Sequence, residues 1–289
     1  MTAKEKLMNW SLFIALSFIW GSSFILMKEG LRHLTDLQVA SVRVLSAGLV
    51  LLPVAIKKIR VIRKADLGLI FLSGLLGSFL PAYLFCISET RIDSSLAGFL
   101  NAFSPIFTIL IGILFFSNKM GNKLPGVIIG FAGMLTLFFA KDTGEPGQLA
   151  FSALVIIATL CYALNVNIVG RYLKATGSVA IASIAISLLI IPSCWILAAT
   201  GFFSLPLTDK DVVLSLGASS VLGLIGTAMA TILFYMLLKR AGPVFASMVT
   251  YGIPFIALLW GLLAGEQVNT LQITGLLILL VGVYYATKK

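Results

Sequence analysis

This sequence predicts an all-α membrane protein of ten transmembrane helices in two inverted five-helix repeats, and three observations support that fold class. Of the 289 residues, 59% are apolar and only 11% charged, a balance that a bilayer solvates and water does not. Apolar stretches of roughly 20 residues, the length that crosses the hydrocarbon layer, recur along the chain. Finally, a shift of 149 residues lays one half on the other without a gap. Gly74 falls on Gly223, Gly77 on Gly226, Phe85 on Phe234, Arg91 on Arg240 and Ala97 on Ala246. Pro105 falls on Pro254, Gly112 on Gly261, Gly126 on Gly275 and Gly133 on Gly282. The matches favour Gly and Pro, where backbone geometry restricts substitution and chance agreement counts for less.

The first repeat is read as residues 1–145, with spans at about 9–28, 38–56, 67–88, 94–116 and 124–140. The first span follows Lys4 and Lys6. It is too long for a secretory signal core, and no small-residue cleavage site follows it, so it reads as a retained helix. The second carries Arg43 and stops before the basic run Lys57–Lys64. The third, Leu67–Ser88, has neither a polar stripe nor strand alternation, which excludes an amphipathic soluble bundle. The fourth is interrupted by Pro105, and the fifth is marked by Gly126 and Gly130. The second repeat is read as residues 146–289, with spans at about 149–170, 179–201, 212–238, 241–264 and 270–286. Its first helix aligns better at an offset of 142, which pairs Leu12 with Leu154, Leu31 with Leu173 and Trp20 with Tyr162. An odd number of spans per copy inverts the second relative to the first. Inverted repeats meeting near the midplane are an architecture of secondary transporters.

The formal net charge of +10 would suggest nucleic acid if it lay on one soluble face, but the loops account for it. With both termini cytoplasmic, the cytoplasmic segments hold 15 of the 21 basic residues: Lys4, Lys6, Lys57, Lys58, Arg60, Arg63, Lys64, Lys119, Lys123, Arg171, Lys174, Lys239, Arg240, Lys288 and Lys289. The external side holds Lys28, Arg32, Arg91, Lys141 and Lys210, leaving Arg43 inside a span. Basic loops stay cytoplasmic during insertion, so the asymmetry sets the orientation. The Lys57–Lys64 loop is also suited to anionic head groups, making membrane lipid an expected partner and nucleic acid not. Cys86, Cys161 and Cys194 fall within spans without metal-ligand spacing and read as small packing residues.

From Trp20 the chain reads Trp-Gly-Ser-Ser-Phe-Ile-Leu-Met-Lys. Lys239-Arg240-Ala241-Gly242-Pro243-Val244-Phe245-Ala246-Ser247 is followed by Pro254, Gly265-Glu266, Gly275 and Gly282. This succession resembles the EamA-type branch of the drug/metabolite transporter superfamily over essentially the whole chain. The resemblance implies a ten-helix bacterial inner-membrane carrier with a central cavity between inverted repeats, moving small metabolites by alternating access. Two departures stand out. Ser117 occupies the first-repeat equivalent of Glu266, and Tyr162 stands where members of the family often carry Trp.

Pro105 and Pro254 are expected helix kinks. Proline cannot donate to the carbonyl four residues back, so they free the carbonyls of Asn101 and Thr250. Asn101, Ser104 and Thr108 share a helical stripe with Pro105, as Ser247, Thr250 and Tyr251 do with Pro254. Kinked backbone at membrane depth either lines a cavity or finds internal partners such as a neighbouring hydroxyl. Trp20 and Ser23, with their counterparts Tyr162 and Asn165, are expected to face the bundle interior, and Asn167 adds an amide at the same depth. Thr227, Thr231 and Tyr235 form a stripe read as structural, whereas Tyr83, just past Pro81, is placed at the cavity edge. Arg43, about six residues from the external end, either receives a substrate carboxylate or snorkels outward towards Asp36, Glu89 or head groups. The expected substrate-binding set is therefore Trp20, Ser23, Arg43, Tyr83, Asn101, Tyr162, Asn165, Thr250 and Tyr251. Lys28 and Glu89 read as charges of an outer gate or interface. The Gly126/Gly130 and Gly261/Gly265 faces suit close helix packing, and leave a homodimer open without arguing for one.

No Asp or Glu lies near the centre of a span, and the single histidine, His33, is in an external loop. A buried acid relay is thus not expected. Coupling would have to use the boundary acids Glu89 or Glu266, and otherwise the carrier is a facilitator. The chain has no P-loop for ATP hydrolysis and no intramembrane histidine for a protease, so neither enzyme activity nor a cofactor or metal is expected. The polar inventory suits neutral or zwitterionic metabolites such as amino acids, and the resemblance suggests export. The alternatives are uptake of a vitamin, nucleoside or carboxylate, or a membrane assembly protein that transports nothing.

Overall fold

The computed structural model describes residues 2–117, 124–139, 148–263 and 270–287, and every regular element among them is helical. Helix α1 runs Ala3–Gly30, α2 Asp36–Ile59 and α3 Lys64–Ser88. Helix α4 has two pieces, Ser94–Asn101 and Ser104–Phe116; α5 is Leu124–Phe139 and α6 Gln148–Tyr172. Helix α7 is Ser178–Ser187 followed by Ile190–Ala199, and α8 is Lys210–Ala241. Helix α9 comprises Pro243–Ser247, a 3₁₀ turn Met248–Tyr251 and Ile253–Leu263, and α10 is Thr270–Thr287. Among the described residues, seven stretches are long and apolar enough to cross a bilayer: α1, α2, α3, Leu96–Phe116, Leu149–Tyr172, Ser178–Ala199 and α8. Leu124–Gly133, Pro243–Ile256 and Thr270–Tyr285 are shorter apolar helices. The chain is a multi-pass, all-helical membrane protein.

Local chemistry explains where the helices begin and bend. Helix α1 starts well before the expected residue 9 because Thr2 and Glu5 form a reciprocal capping box. Thr2 Oγ1 accepts from the Glu5 N–H at 3.3 Å, and Glu5 Oε2 accepts from the Thr2 N–H at 2.8 Å. Thr35 and Gln38 cap α2 in the same way, and the Gln38 amide also donates to the Thr200 carbonyl at the end of α7. Gly242 turns α8 into α9 at φ +86°, a conformation that favours glycine, and Pro243 follows as the first residue of the next helix.

Two features are absent from the sequence expectation. Both α3 and α8 widen into π-helical segments, Leu75–Phe79 and Leu222–Met229, which overlap when shifted by 149 residues. Helix α7 also breaks at Leu188 and Leu189, where Pro192 cannot donate to the Leu188 carbonyl four residues back.

The buried apolar side chains form two large clusters. One gathers Leu16, Ile70, Val169, Leu238 and Tyr251, and the other Met27, Val44, Phe85, Ala97 and Ile253; Trp20 and Phe103 pack against both. Contacts between the halves are reciprocal. Gly74 lies so close to the Ala185 carbonyl that a Cβ would stand 2.6 Å from it, and Gly223 abuts the Arg43 carbonyl, where Arg43 and Ala185 correspond at the offset of 142. Helices α5 and α10 pack on each other, with Gly133 against Leu279 and Gly282 against Gly130. Cys86 and Cys161 are buried, Cys86 donating to Met27 Sδ at 3.3 Å, whereas Cys194 is exposed on the outer surface rather than packed inside. Glu266, Gly265, Lys119, Lys123, Lys141, Lys288 and Lys289 lie outside the described residues.

Candidate functional site

A cavity of about 900 Å³, counting its open mouth, lies where the two apolar clusters meet. Its walls come from α1, α2, α3, α4, α6, α8 and α9. Trp20, Phe24, Phe85, Tyr162 and Phe234 form an aromatic lining. Phe85 stacks on Tyr162 with centroids 6.3 Å apart, and Trp20 tilts against Phe234 at 5.3 Å. The widened turn of α8 holds the indole, whose N–H donates to the Gly226 carbonyl at 3.0 Å. Gly226 also sits beside Ser23, just as Gly77 in the π segment of α3 sits beside Asn165. A side chain at either glycine would occupy the space these polar groups use.

Arg43 is the charged side chain of the described lining. It turns inward rather than snorkelling, and its Nε donates to Thr227 Oγ1 at 2.7 Å. That bond leaves both terminal guanidinium nitrogens for an anionic group. Four of the hydroxyls have the opposite character. Ser23 donates to the Ile19 carbonyl at 2.8 Å, Ser104 to Asn101 at 2.8 Å, Ser247 to Val244 at 2.9 Å and Thr250 to Ser247 at 2.9 Å. Having given their protons to backbone a turn back, they can offer only lone pairs to a ligand. The cavity thus combines one fixed cation, several oxygen acceptors and aromatic faces, which suits a carboxylate and an ammonium on one molecule.

Of the nine residues predicted to bind substrate, Trp20, Ser23, Arg43, Asn101, Tyr162, Asn165 and Thr250 line this cavity. The described lining does not include Tyr83 or Tyr251. Tyr83 is bonded to Ser41 Oγ at 2.7 Å, and Tyr251 donates to the Val127 carbonyl at 3.3 Å behind the wall. Pro105 and Pro254 are buried near the breaks of α4 and α9, outside the lining. The Asn101 carbonyl released by Pro105 is satisfied by the Ser104 hydroxyl, an internal partner three residues on. Asn167 is structural, donating to the carbonyls of Thr108 and Ala163 at 3.0 and 2.9 Å. Asn165 accepts from Ser73 Oγ at 2.5 Å, and Tyr235 lies 2.9 Å from the same hydroxyl, a buried network that orients both. Thr227, Thr231 and Tyr235, assigned to packing by sequence, all line the cavity. Their i, i+4 spacing was the available signal, but it could not say which side of α8 faces inward.

The profile of the EamA-like transporter family matches residues 8–139 and 150–287. The chain belongs to the EamA-like transporter family. Family membership marks it as a membrane transporter rather than an enzyme. A Salmonella typhimurium relative named "Probable amino-acid metabolite efflux pump" is 26% identical over 278 residues, covering 92% of this chain and 90% of its own. A Chlamydia trachomatis relative named "S-adenosylmethionine/S-adenosylhomocysteine transporter" is 28% identical over 264 residues, covering 87% and 80%. One solved crystal structure superposes with a TM-score of 0.71 at 11% identity, over 99% of this chain and 97% of its own, a likeness of fold alone.

Proposed function

We propose that this EamA-like transporter is a ten-span secondary carrier of two inverted repeats, 1–145 and 146–289, which exports small zwitterionic or neutral metabolites such as amino acids by alternating access. The observation that carries the substrate reading is the cavity itself, with one inward guanidinium, Arg43, amid acceptor hydroxyls and aromatic faces. A multiply phosphorylated solute would call for several cations, and the described lining has one. The reciprocal glycine contacts between the halves support the inverted repeat. The names of the two relatives, "Probable amino-acid metabolite efflux pump" and "S-adenosylmethionine/S-adenosylhomocysteine transporter", accord with a zwitterion. The basic-loop asymmetry supports an inner-membrane orientation with both termini cytoplasmic.

In this reading Arg43 pairs with the substrate carboxylate. Trp20, Ser23, Tyr162 and Asn165 shape the midplane, and Asn101 and Thr250 close the far wall. Purified protein in liposomes, screened for flux over an amino-acid panel, tests the reading. Arg43→Gln is expected to raise KM for the free acid roughly tenfold to hundredfold, the worth of a charge-assisted bond, while leaving weak transport of the corresponding amide unchanged. No saturable flux of any panel member by the wild type would overturn the reading. Preference for simple carboxylates over amino acids would instead favour a carboxylate carrier.

A further inference from the structure

One ionisable group beside the cavity has no role in the substrate reading. Glu89 follows the last residue of α3 and is 5% exposed. Its Oε1 is buried without a hydrogen-bond partner, and its Oε2 accepts only a long bond, 3.4 Å, from Ser94 Oγ. A buried carboxylate in such a setting is costly, whereas the neutral acid is tolerated. The charged groups that face it are otherwise engaged. Lys28 of α1 pairs with Asp93 at 3.7 Å, and Arg43 of α2 is bonded to Thr227. Asp93, before α4, adds a like charge, and α6 brings no charge to this end. The other titratable neighbours are Cys86 on the same helix and Tyr162, which stacks on Phe85 one turn deeper. Burial pushes the Glu89 carboxyl up to about 8, against a smaller opposing effect of Lys28.

The surroundings of Glu89 would have to part for this end of the cavity to open. Phe85, one turn back, lines the cavity and meets Phe24 of α1 and Tyr162 of α6. Ser88 donates to the Phe151 carbonyl of α6 at 2.7 Å, and the Lys28–Asp93 pair bridges α1 to the start of α4. We propose that Glu89 is a proton-binding site of this gate: it holds a proton while the α3–α4 end of the cavity is closed and releases it to water as that end opens. The proposal rests on the alternating-access reading above and adds a proton-linked step at one mouth of the carrier. The sign follows from the buried neutral acid. Protonation favours the closed gate, so acid slows exchange at this end and alkali speeds it.

Two measurements test this separately from the carrier reading. The first is the rate at which an impermeant thiol reagent reaches Met27→Cys, a cavity position 2% exposed, in a background with Cys86, Cys161 and Cys194 replaced. The second is substrate exchange in liposomes, each followed from pH 5.5 to 9.5. Expected are a labelling rate and an exchange rate that rise together, approaching tenfold per pH unit before levelling. Both rises should be flattened in Glu89→Gln and restored with a shifted midpoint in Glu89→Asp. If Glu89→Gln fails to fold, the wild-type profile and Glu89→Asp still decide. Robust exchange with pH-independent labelling and flux overturns the proton site while the carrier reading stands. Absent flux with pH-dependent labelling that Glu89→Asp shifts does the reverse. A pH dependence retained in Glu89→Gln assigns the proton elsewhere and overturns the proposal.

Discussion

Asn101 has two polar functions that the fold keeps apart. Its carbonyl, released by Pro105, and its side-chain oxygen both accept from Ser104 Oγ, at 2.8 and 3.3 Å, and neither bond uses the amide protons. Asn101→Ala is therefore expected to weaken substrate affinity about fivefold, the loss of one neutral hydrogen bond of about 1 kcal/mol, with normal folded yield. Ser104→Ala should act mainly on stability, because it orphans a buried carbonyl at a cost of about 1–3 kcal/mol. Affinity and thermal unfolding measured on both variants check this, and the reverse ordering would remove Asn101 from the site. Asn101 was legible in the sequence because proline acts on a fixed partner four residues back. Tyr83 and Tyr251 were not, since the groups that bond them, Ser41 and the Val127 carbonyl, lie on other helices that no spacing along the chain reveals.

At the scale of helices, seven spans could be read from apolar length and the breaks of α4 and α9 from Pro105 and Pro254, while the widened turns of α3 and α8 could not. The π segments of α3 and α8 contain matched glycines, Gly77 in one and Gly223 and Gly226 in the other, yet a glycine match does not say whether a helix widens or merely packs closely. The structure separates the two kinds of glycine. A Cβ on Gly68 would meet nothing within 4 Å, whereas one on Gly74 would stand 2.6 Å from a backbone carbonyl that cannot swing aside. Gly68→Ala is expected to raise stability by about 0.5–1 kcal/mol through helix propensity, and Gly74→Ala to lower it. Thermal unfolding in detergent distinguishes them, and equal shifts would show that α3 and α7 do not touch as described.

Over the whole molecule, the most legible signal was the sequence match at an offset of 149, and its imperfection has a local cause. The link between α2 and α3 is Arg60–Arg63, whereas that between α7 and α8 runs from Thr200 to Asp209 and includes a 3₁₀ turn, Phe202–Ser204. That longer link accounts for most of the change in offset from 142 to 149. The orientation proposed from the charges places the first link in the cytoplasm and the second outside. Arg60→Cys and Lys210→Cys, each in a background lacking the native cysteines, should thus label with an impermeant reagent from opposite faces. Labelling of both from outside would contradict the inverted arrangement.

The glycine contacts of α3 with α7 and of α8 with α2 bear on how such a carrier could move. Interlocking side chains resist sliding because each ridge must climb out of its groove, so their motion proceeds in steps. Where Gly74 meets the Ala185 carbonyl, main chain rests on main chain with no ridge between, and Gly223 meets the Arg43 carbonyl beside the small hydroxyl of Ser46. Each such point can act as a pivot, smooth to rotation and stiff to compression. Resistance to rocking then resides at the rims, in exposed pairs such as Lys28–Asp93, which water can loosen.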